Sequence, residues 1–257
     1  MRERYGPWAL VAGASEGIGA AFATALAGHG LDLVLVARRP GPLTELAARL
    51  PVHTVTVSAD LADGIAPVLA ATTGLEVGLV VCNAAYSPIG AFLDTDPAET
   101  ERALRLNCAT PLALAHAYLP GMAARGRGGF VVMSSLAGQQ GSPGLAVYAA
   151  TKAFDTVLAE GLWGELRGRG VDVVTAVAGA VATPGFGRSA GRAAPGTVTP
   201  ERVAEAALAA LGRRPHTVPG ALMRFSAATM ARLLPRRTAV NVMAKANSAI
   251  LERTGDG

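Results

Sequence analysis

Short, almost wholly apolar runs alternate along this chain with longer stretches of helical character. Trp8 to Ala12, Asp32 to Ala37, Val52 to Ser58, Val77 to Cys82, Phe130 to Met133 and Val171 to Ala178 read as six strands. Between them, Ala20 to Gly28, Pro42 to Leu50, Pro97 to about Ala124 and Val147 to Arg167 read as helices, with Pro111 and Pro120 marking bends or ends. Strands that lack polar alternation are buried on both faces, and crossover helices between them specify parallel pairing. Right-handed crossovers then predict an α/β fold: a doubly wound parallel sheet with helices on both faces. The alternation stops at residues 179–200, a stretch rich in Gly, Ala, Pro and Arg that reads as a functional loop. Beyond it, Pro200 to Leu211 reads as a helix, and Ala221 to Leu234 and Thr238 to Leu251 as two amphipathic segments, a helical extension over about 220–252. The whole of 1–257 reads as a single domain.

Composition narrows the function classes. Of 257 residues, 51% are apolar and only 16% charged, so a full core is available. Aromatics at 5% are too few for stacked platforms under nucleic-acid bases, and no nucleic-acid partner is expected. Cys82 and Cys108 cannot form a disulfide framework and read as small apolar residues. No Cys/His spacing suits a metal, and His29, His53, His116 and His216 carry no assigned role. The first ten residues hold Arg2, Glu3, Arg4 and Pro7 rather than a signal-peptide core. The longest uncharged stretch, Gly128 to Thr151, is too rich in Ser, Gln and Pro to span a bilayer. A cytoplasmic protein is expected.

Charge is unevenly placed: residues 1–180 hold 12 basic and 15 acidic side chains, residues 181–257 hold 11 and 4. A basic tail suits nucleic acid, an anionic membrane surface or an anionic substrate; it equally suits a solvated surface in a chain that prefers arginine. That preference is plain in 21 Arg against two Lys, Lys152 and Lys245.

The first strand runs into Ala12-Gly13-Ala14-Ser15-Glu16-Gly17-Ile18-Gly19 and then a helix. Glycines here let backbone N–H groups approach a pyrophosphate at the helix N-terminus. The second strand ends in Ala37-Arg38-Arg39, where an acidic residue would have favoured ribose hydroxyls. Guanidinium groups suit a 2′-phosphate, so NADP(H) is the expected cofactor, with Arg38 the principal contact and Arg39 secondary. Ser135 follows the fifth strand, with Tyr148 and Lys152 thirteen and seventeen residues later. Tyr148 and Lys152, at i and i+4, share one helix face. A phenol ordinarily titrates near about 10, and a neighbouring ammonium favours its phenolate, which fits it for proton exchange with a carbonyl oxygen. Ser135 would hydrogen-bond that oxygen as charge develops.

Together these segments resemble the short-chain dehydrogenase/reductase family over roughly residues 7–250, and the resemblance implies its Rossmann-type NAD(P)-binding domain. The phosphate turn is similar to the family's Thr-Gly-x-x-x-Gly-Ile-Gly, with Ala12 in place of Thr. Met133 to Gly138, followed by Tyr148-Ala-Ala-Thr-Lys152, resembles its active-site segment, which implies Asn107, Ser135, Tyr148 and Lys152 as the catalytic set. On the same resemblance Asn107 holds a water linked to Lys152, and Lys152 donates to both ribose hydroxyls. Capping or bending of its helix is the alternative for Asn107. Asp60 and Leu61 would meet the adenine, and Asn83, Ala84 and Ala85 the adjoining ribose. Cys82-Asn83-Ala84-Ala85 departs at two positions from the family's Asn-Asn-Ala-Gly. Gly179, Val181 and Thr183 match the stretch beside the nicotinamide, with Ala178 replacing Pro. The closest branch looks like the 17β-hydroxysteroid dehydrogenases and long-chain 3-ketoacyl-thioester reductases.

A pocket lined by Tyr86 to Phe92, Leu136 to Leu145 and Pro184 to Pro195 suits a hydrophobic ketone, and Arg188 and Arg192 either meet an anionic handle or keep their loop solvated. The C-terminal stretch, with Arg224, Arg232, Arg236, Arg237 and Lys245 among apolar residues, either lies on a membrane surface, closes over substrate or packs against a second subunit or its own domain. A homo-oligomer, dimer or tetramer, is expected. The leading activity is reduction of a ketone to an alcohol. Redox-coupled epimerisation or dehydration and a non-enzymatic cofactor sensor or scaffold are the alternatives on the same fold.

Overall fold

The computed structural model describes residues 1–183, 196–220, 223–224 and 234–254. Elements run in the order α1 (Arg2–Tyr5), β1 (Trp8–Ala12), α2 (Gly17–Gly28), β2 (Asp32–Ala37), α3 (Pro40–Ala48), β3 (Thr54–Ser58), α4 (Ala66–Ala71) and β4 (Val77–Cys82). Then come α5 (Pro97–Leu104), a π-helical turn (Arg105–Ala109), α6 (Thr110–Arg125), β5 (Gly128–Ser135), α7 (Ala146–Leu166) and β6 (Val171–Ala178). The last are α8 (Pro200–Ala210), β7 (His216–Thr217) and α9 (Arg236–Thr254). Among the described residues seven strands form one sheet in the order β3-β2-β1-β4-β5-β6-β7, every neighbouring pair parallel. The expected doubly wound α/β sheet of Rossmann type is therefore present.

Alternate side chains of each strand enter opposite cores, which is why the strands read as continuous apolar runs. Ala9 and Val11 of β1, with Leu33 and Leu35 of β2, pack under α2 beside Phe22 and Leu26. Leu10, Val34 and Val36 face the other way, with Leu114, Met122 and Phe130. The order in which strands are added reverses between β1 and β4, leaving a crevice beyond their C-terminal ends, the place where such sheets bind ligands.

Several boundaries differ from the sequence expectation for physical reasons. β5 runs Gly128–Ser135 rather than Phe130 to Met133, because it pairs with β6 along its whole length. The expected helix from Pro97 to Ala124 is three pieces, interrupted at the π turn rather than at Pro120, which lies inside α6. Pro111 accounts for the place: it has no N–H to give the carbonyl of Asn107, four residues earlier. The third strand begins at Thr54, not Val52, and the second crossover helix at Pro40, not Pro42. β7, two residues long, has no periodic signature to read. Most of the Ala221 to Leu234 segment and all of Pro184 to Pro195, with Arg188, Arg192 and Arg232, lie outside the described residues. No helix among the described residues is long and apolar enough to cross a membrane.

Candidate active site

The glycine turn closes directly on the reversal point. Gly13 donates its N–H to Val36 O at 2.8 Å, and Asn83 and Ala84 donate theirs to Ala12 O at 3.1 and 2.8 Å. Asn83 Nδ2 also donates to Gly13 O at 2.9 Å, so the ends of β1 and β4 are stitched together. Two glycines are required by this closeness. Gly13 has φ of 82°, and a Cβ on Gly19 would stand 1.9 Å from Gly13 O and 2.7 Å from Asn83 Nδ2. Ala12 makes the same backbone bonds that a threonine would; only a side-chain hydroxyl is lost.

A cleft of about 300 Å³ opens over this turn. Gly13, Ser15, Glu16, Gly17 and Ile18 form its floor, Arg38, Arg39, Asp60 and Leu61 one wall, and Asn83, Ala84, Ala85 and Thr183 the other. Gly19 lies beneath the turn, Gly179 packs close to the Met223 side chain, and Val181 is buried in a bridge to Val198. The two arginines are not equivalent. Arg39 Nη2 lies 2.6 Å from Glu16 Oε2, whereas the exposed Arg38 guanidinium has no hydrogen-bond partner among the described residues. A guanidinium without a hydrogen-bond partner, as at Arg38, is chemically suited to a phosphate.

Asp60 is engaged within the protein. Its Oδ1 accepts from the Ala62 N–H at 3.0 Å and its Oδ2 meets Arg102 Nη2 at 2.5 Å. Burial would push this carboxyl up, but the Ala62 N–H and the Arg102 guanidinium outweigh it and hold the group below the usual carboxylate range. Arg102 also lies over the Tyr86 ring, 5.7 Å from its centroid, and Tyr86 donates its hydroxyl to Glu99. Asp60 thus lines the cleft while its carboxylate steadies the turn after β3.

The candidate catalytic side chains come from β5, α7 and the π turn. Ser135 ends β5; its Oγ accepts from the Ala137 N–H at 3.2 Å, leaving the hydroxyl hydrogen to donate elsewhere. Tyr148, half-buried near the start of α7, has no hydrogen-bond partner for its hydroxyl among the described residues. Lys152, one turn on, is buried with Nζ 5.8 Å from the Tyr148 ring centroid. Asn107 is fully buried: Oδ1 accepts from the Tyr86 N–H at 2.8 Å, and Nδ2 donates to Tyr86 O at 2.8 Å and Thr151 Oγ1 at 2.9 Å. Its side chain is therefore used up tying the β4 loop to α7.

One residue escaped the sequence reading. Lys152 Nζ donates to Met133 O and to Asp155 Oδ2, both at 2.8 Å, and Asp155 is 1% exposed. Burial pulls an ammonium down, but the Asp155 carboxylate, with Tyr148, holds Lys152 above its ordinary range. Burial likewise pushes the Asp155 carboxyl up against the pull of Lys152. The bond geometry favours an ionised pair at neutral pH. The signal in the sequence was the i, i+3 spacing of an aspartate behind a rare lysine.

On the substrate side, α9 packs on the segment between Ser135 and Tyr148. Buried Asn247 donates through Nδ2 to Ser142 Oγ and Pro143 O, each at 2.9 Å, and Arg236 Nη1 donates to Gln139 O at 2.7 Å. These bonds pack α9 against its own domain.

The family described as short chain dehydrogenase matches residues 7–191. The chain is 34% identical to a 7beta-hydroxysteroid dehydrogenase of Collinsella aerofaciens over 232 residues, 86% of this chain and 88% of the relative. It is 30% identical over 269 residues to a very-long-chain 3-oxoacyl-CoA reductase of Anas platyrhynchos, covering 96% of this chain and 82% of the relative. A short-chain dehydrogenase from Sphingobium yanoikuyae, solved in complex with NADPH, matches with a TM-score of 0.76 at 34% identity over 88% of this chain and 93% of that one.

Proposed function

The chain belongs to the short chain dehydrogenase family, and on that footing we propose that it is an NADP(H)-dependent oxidoreductase that reversibly reduces a hydrophobic ketone to an alcohol. The carrying observation is a single face of α7 that presents Tyr148 and Lys152 beside the strand end bearing Ser135, together with a cleft over the glycine turn walled by Arg38. A bound NADPH supplies the hydride that reaches the carbonyl carbon. Ser135 donates its uncommitted hydroxyl hydrogen to the ketone oxygen and stabilises the charge that develops there. Tyr148 gives its phenolic proton to the same oxygen, completing the alcohol, and the Lys152 ammonium stabilises the phenolate left behind. Arg38 holds the 2′-phosphate, and the backbone of residues 13–19 receives the pyrophosphate.

The relatives' names point to bulky or long apolar substrates, a hydroxysteroid in one and a very-long-chain 3-oxoacyl thioester in the other. Sparse charge in the 136–145 segment under α9 supports the same class here. Leu104, Leu112, Phe154 and Val157 on α5, α6 and α7 are exposed and support a homo-oligomer built through these helices. Cys82 and Cys108 are free thiols, in keeping with work in the reducing cytoplasm. The test is NADPH oxidation followed at 340 nm against keto-steroids, 3-oxoacyl thioesters and small polar ketones. Turnover confined to the apolar members supports the reading; turnover only on polar ketones, or on none, refutes it.

A further inference from the structure

The Lys152–Asp155 pair is an unusual use of a charge. Asp155 is 1% exposed, its Oδ2 is bonded to Lys152 Nζ at 2.8 Å, and its Oδ1 has no hydrogen-bond partner among the described residues. A buried carboxylate with one oxygen unsatisfied is costly, and nothing in the packing of α7 on β5 asks for an acid there. The ammonium spends two of its three hydrogens inward, on Asp155 and on Met133 O. These two bonds leave one hydrogen of the ammonium uncommitted.

We propose that Asp155 is a positioning residue for the proton transfer, an internal counter-ion that fixes the Lys152 ammonium on the wall of β5 and sets how much of its positive field reaches Tyr148. The inference rests on the reading that Tyr148 and Lys152 handle the proton. The titratable groups facing the pair are Tyr148 on the same helix, Cys82 at the end of β4 and Cys108 on the π turn. Both thiols stay neutral at working pH: burial pushes Cys108 up to about 11 and Cys82 higher still. No second cation therefore shares the task among these groups, and Asp155 is the anion that offsets the lysine. Burial penalises the ammonium and the Asp155 carboxylate offsets that penalty, so removing the negative charge lets Lys152 give up its proton more readily and weakens the support it offers a Tyr148 phenolate.

Asp155→Asn keeps an acceptor for Lys152 and removes only the charge; Asp155→Val removes both and leaves the buried ammonium without its counter-ion. Two readouts decide. One is the pH profile of kcat for alcohol oxidation with NADP. The other needs no cofactor: the ultraviolet difference titration of Tyr148, obtained by subtracting the Tyr148→Phe trace from its parent in each background. Both midpoints are expected to rise by about one pH unit in Asp155→Asn and in Asp155→Val, with NADPH affinity of Asp155→Asn within about threefold of wild type. Asp155→Val is expected to lose kcat/KM in addition, because Met133 O alone then holds the ammonium. Unchanged midpoints in folded variants overturn the proposal, as does a shift to lower pH. Failure of both variants to fold overturns it too, since it assigns Asp155 to stability alone. Wild-type turnover by Tyr148→Phe is a separate failure, of the reading beneath.

Discussion

Replacing Arg38 by alanine removes the one guanidinium of the β2 terminus that has no hydrogen-bond partner among the described residues. Arg39 is paired with Glu16 at 2.6 Å, while Arg38 lines the same cleft with no hydrogen-bond partner among the described residues. A hydrogen bond to a charged group contributes about 1.5–3 kcal/mol, and an exposed partner belongs at the lower end because solvent screens it. Taking ~1.5–2 kcal/mol, the NADPH dissociation constant should rise about 10- to 30-fold. NADH, which carries no 2′-phosphate, should bind Arg38→Ala and wild type alike. Fluorescence titration of each nucleotide at two salt concentrations measures this. The wild-type preference for NADPH should also shrink as salt rises, since the contact is exposed. Arg39→Ala should cost less, about threefold or below, for its charge is half spent on Glu16. Equal losses for both nucleotides in Arg38→Ala would refute the reasoning, because they would show a damaged turn rather than a lost phosphate contact. A larger loss in Arg39→Ala would refute the assigned order.

Two further substitutions probe the frame around the site. Gly19→Ala places a Cβ where Gly13 O already stands 1.9 Å away, and backbone cannot yield as a side chain tip does. It should destabilise the fold by about 2–3 kcal/mol and abolish tight NADPH binding, read by thermal melting and nucleotide titration. Asn247→Ala breaks the bonds to Ser142 and Pro143. About 1–3 kcal/mol of stability should go, and the KM for an apolar ketone should rise with NADPH affinity unchanged, which steady-state kinetics separates.

What the sequence made legible followed from local rules. Apolar runs without alternation announced a sheet covered on both faces, and the glycine spacing announced the turn, because each consequence is carried by neighbouring residues. Tyr148 and Lys152 were readable for the same reason, four residues apart on one helix. The π turn was not, because it is caused by the absence of an N–H at Pro111 rather than by a pattern of side chains. The bonds from Asn247 to Ser142 and Pro143 span more than a hundred residues, and no local signal links them. Asp155 lay between: its spacing from Lys152 was visible, but only burial on all sides distinguishes it from a solvated acid on a helix.

The most direct test of the account is the turnover of Tyr148→Phe on whichever apolar ketone the wild type reduces, measured beside its NADPH affinity. Loss of the phenolic proton should lower kcat by about 10²–10⁴-fold, the usual span for a removed acid–base group, while NADPH binding stays within about threefold. Turnover within about tenfold of wild type would contradict the assignment of Tyr148 as proton donor, and with it the chemistry drawn from this face of α7.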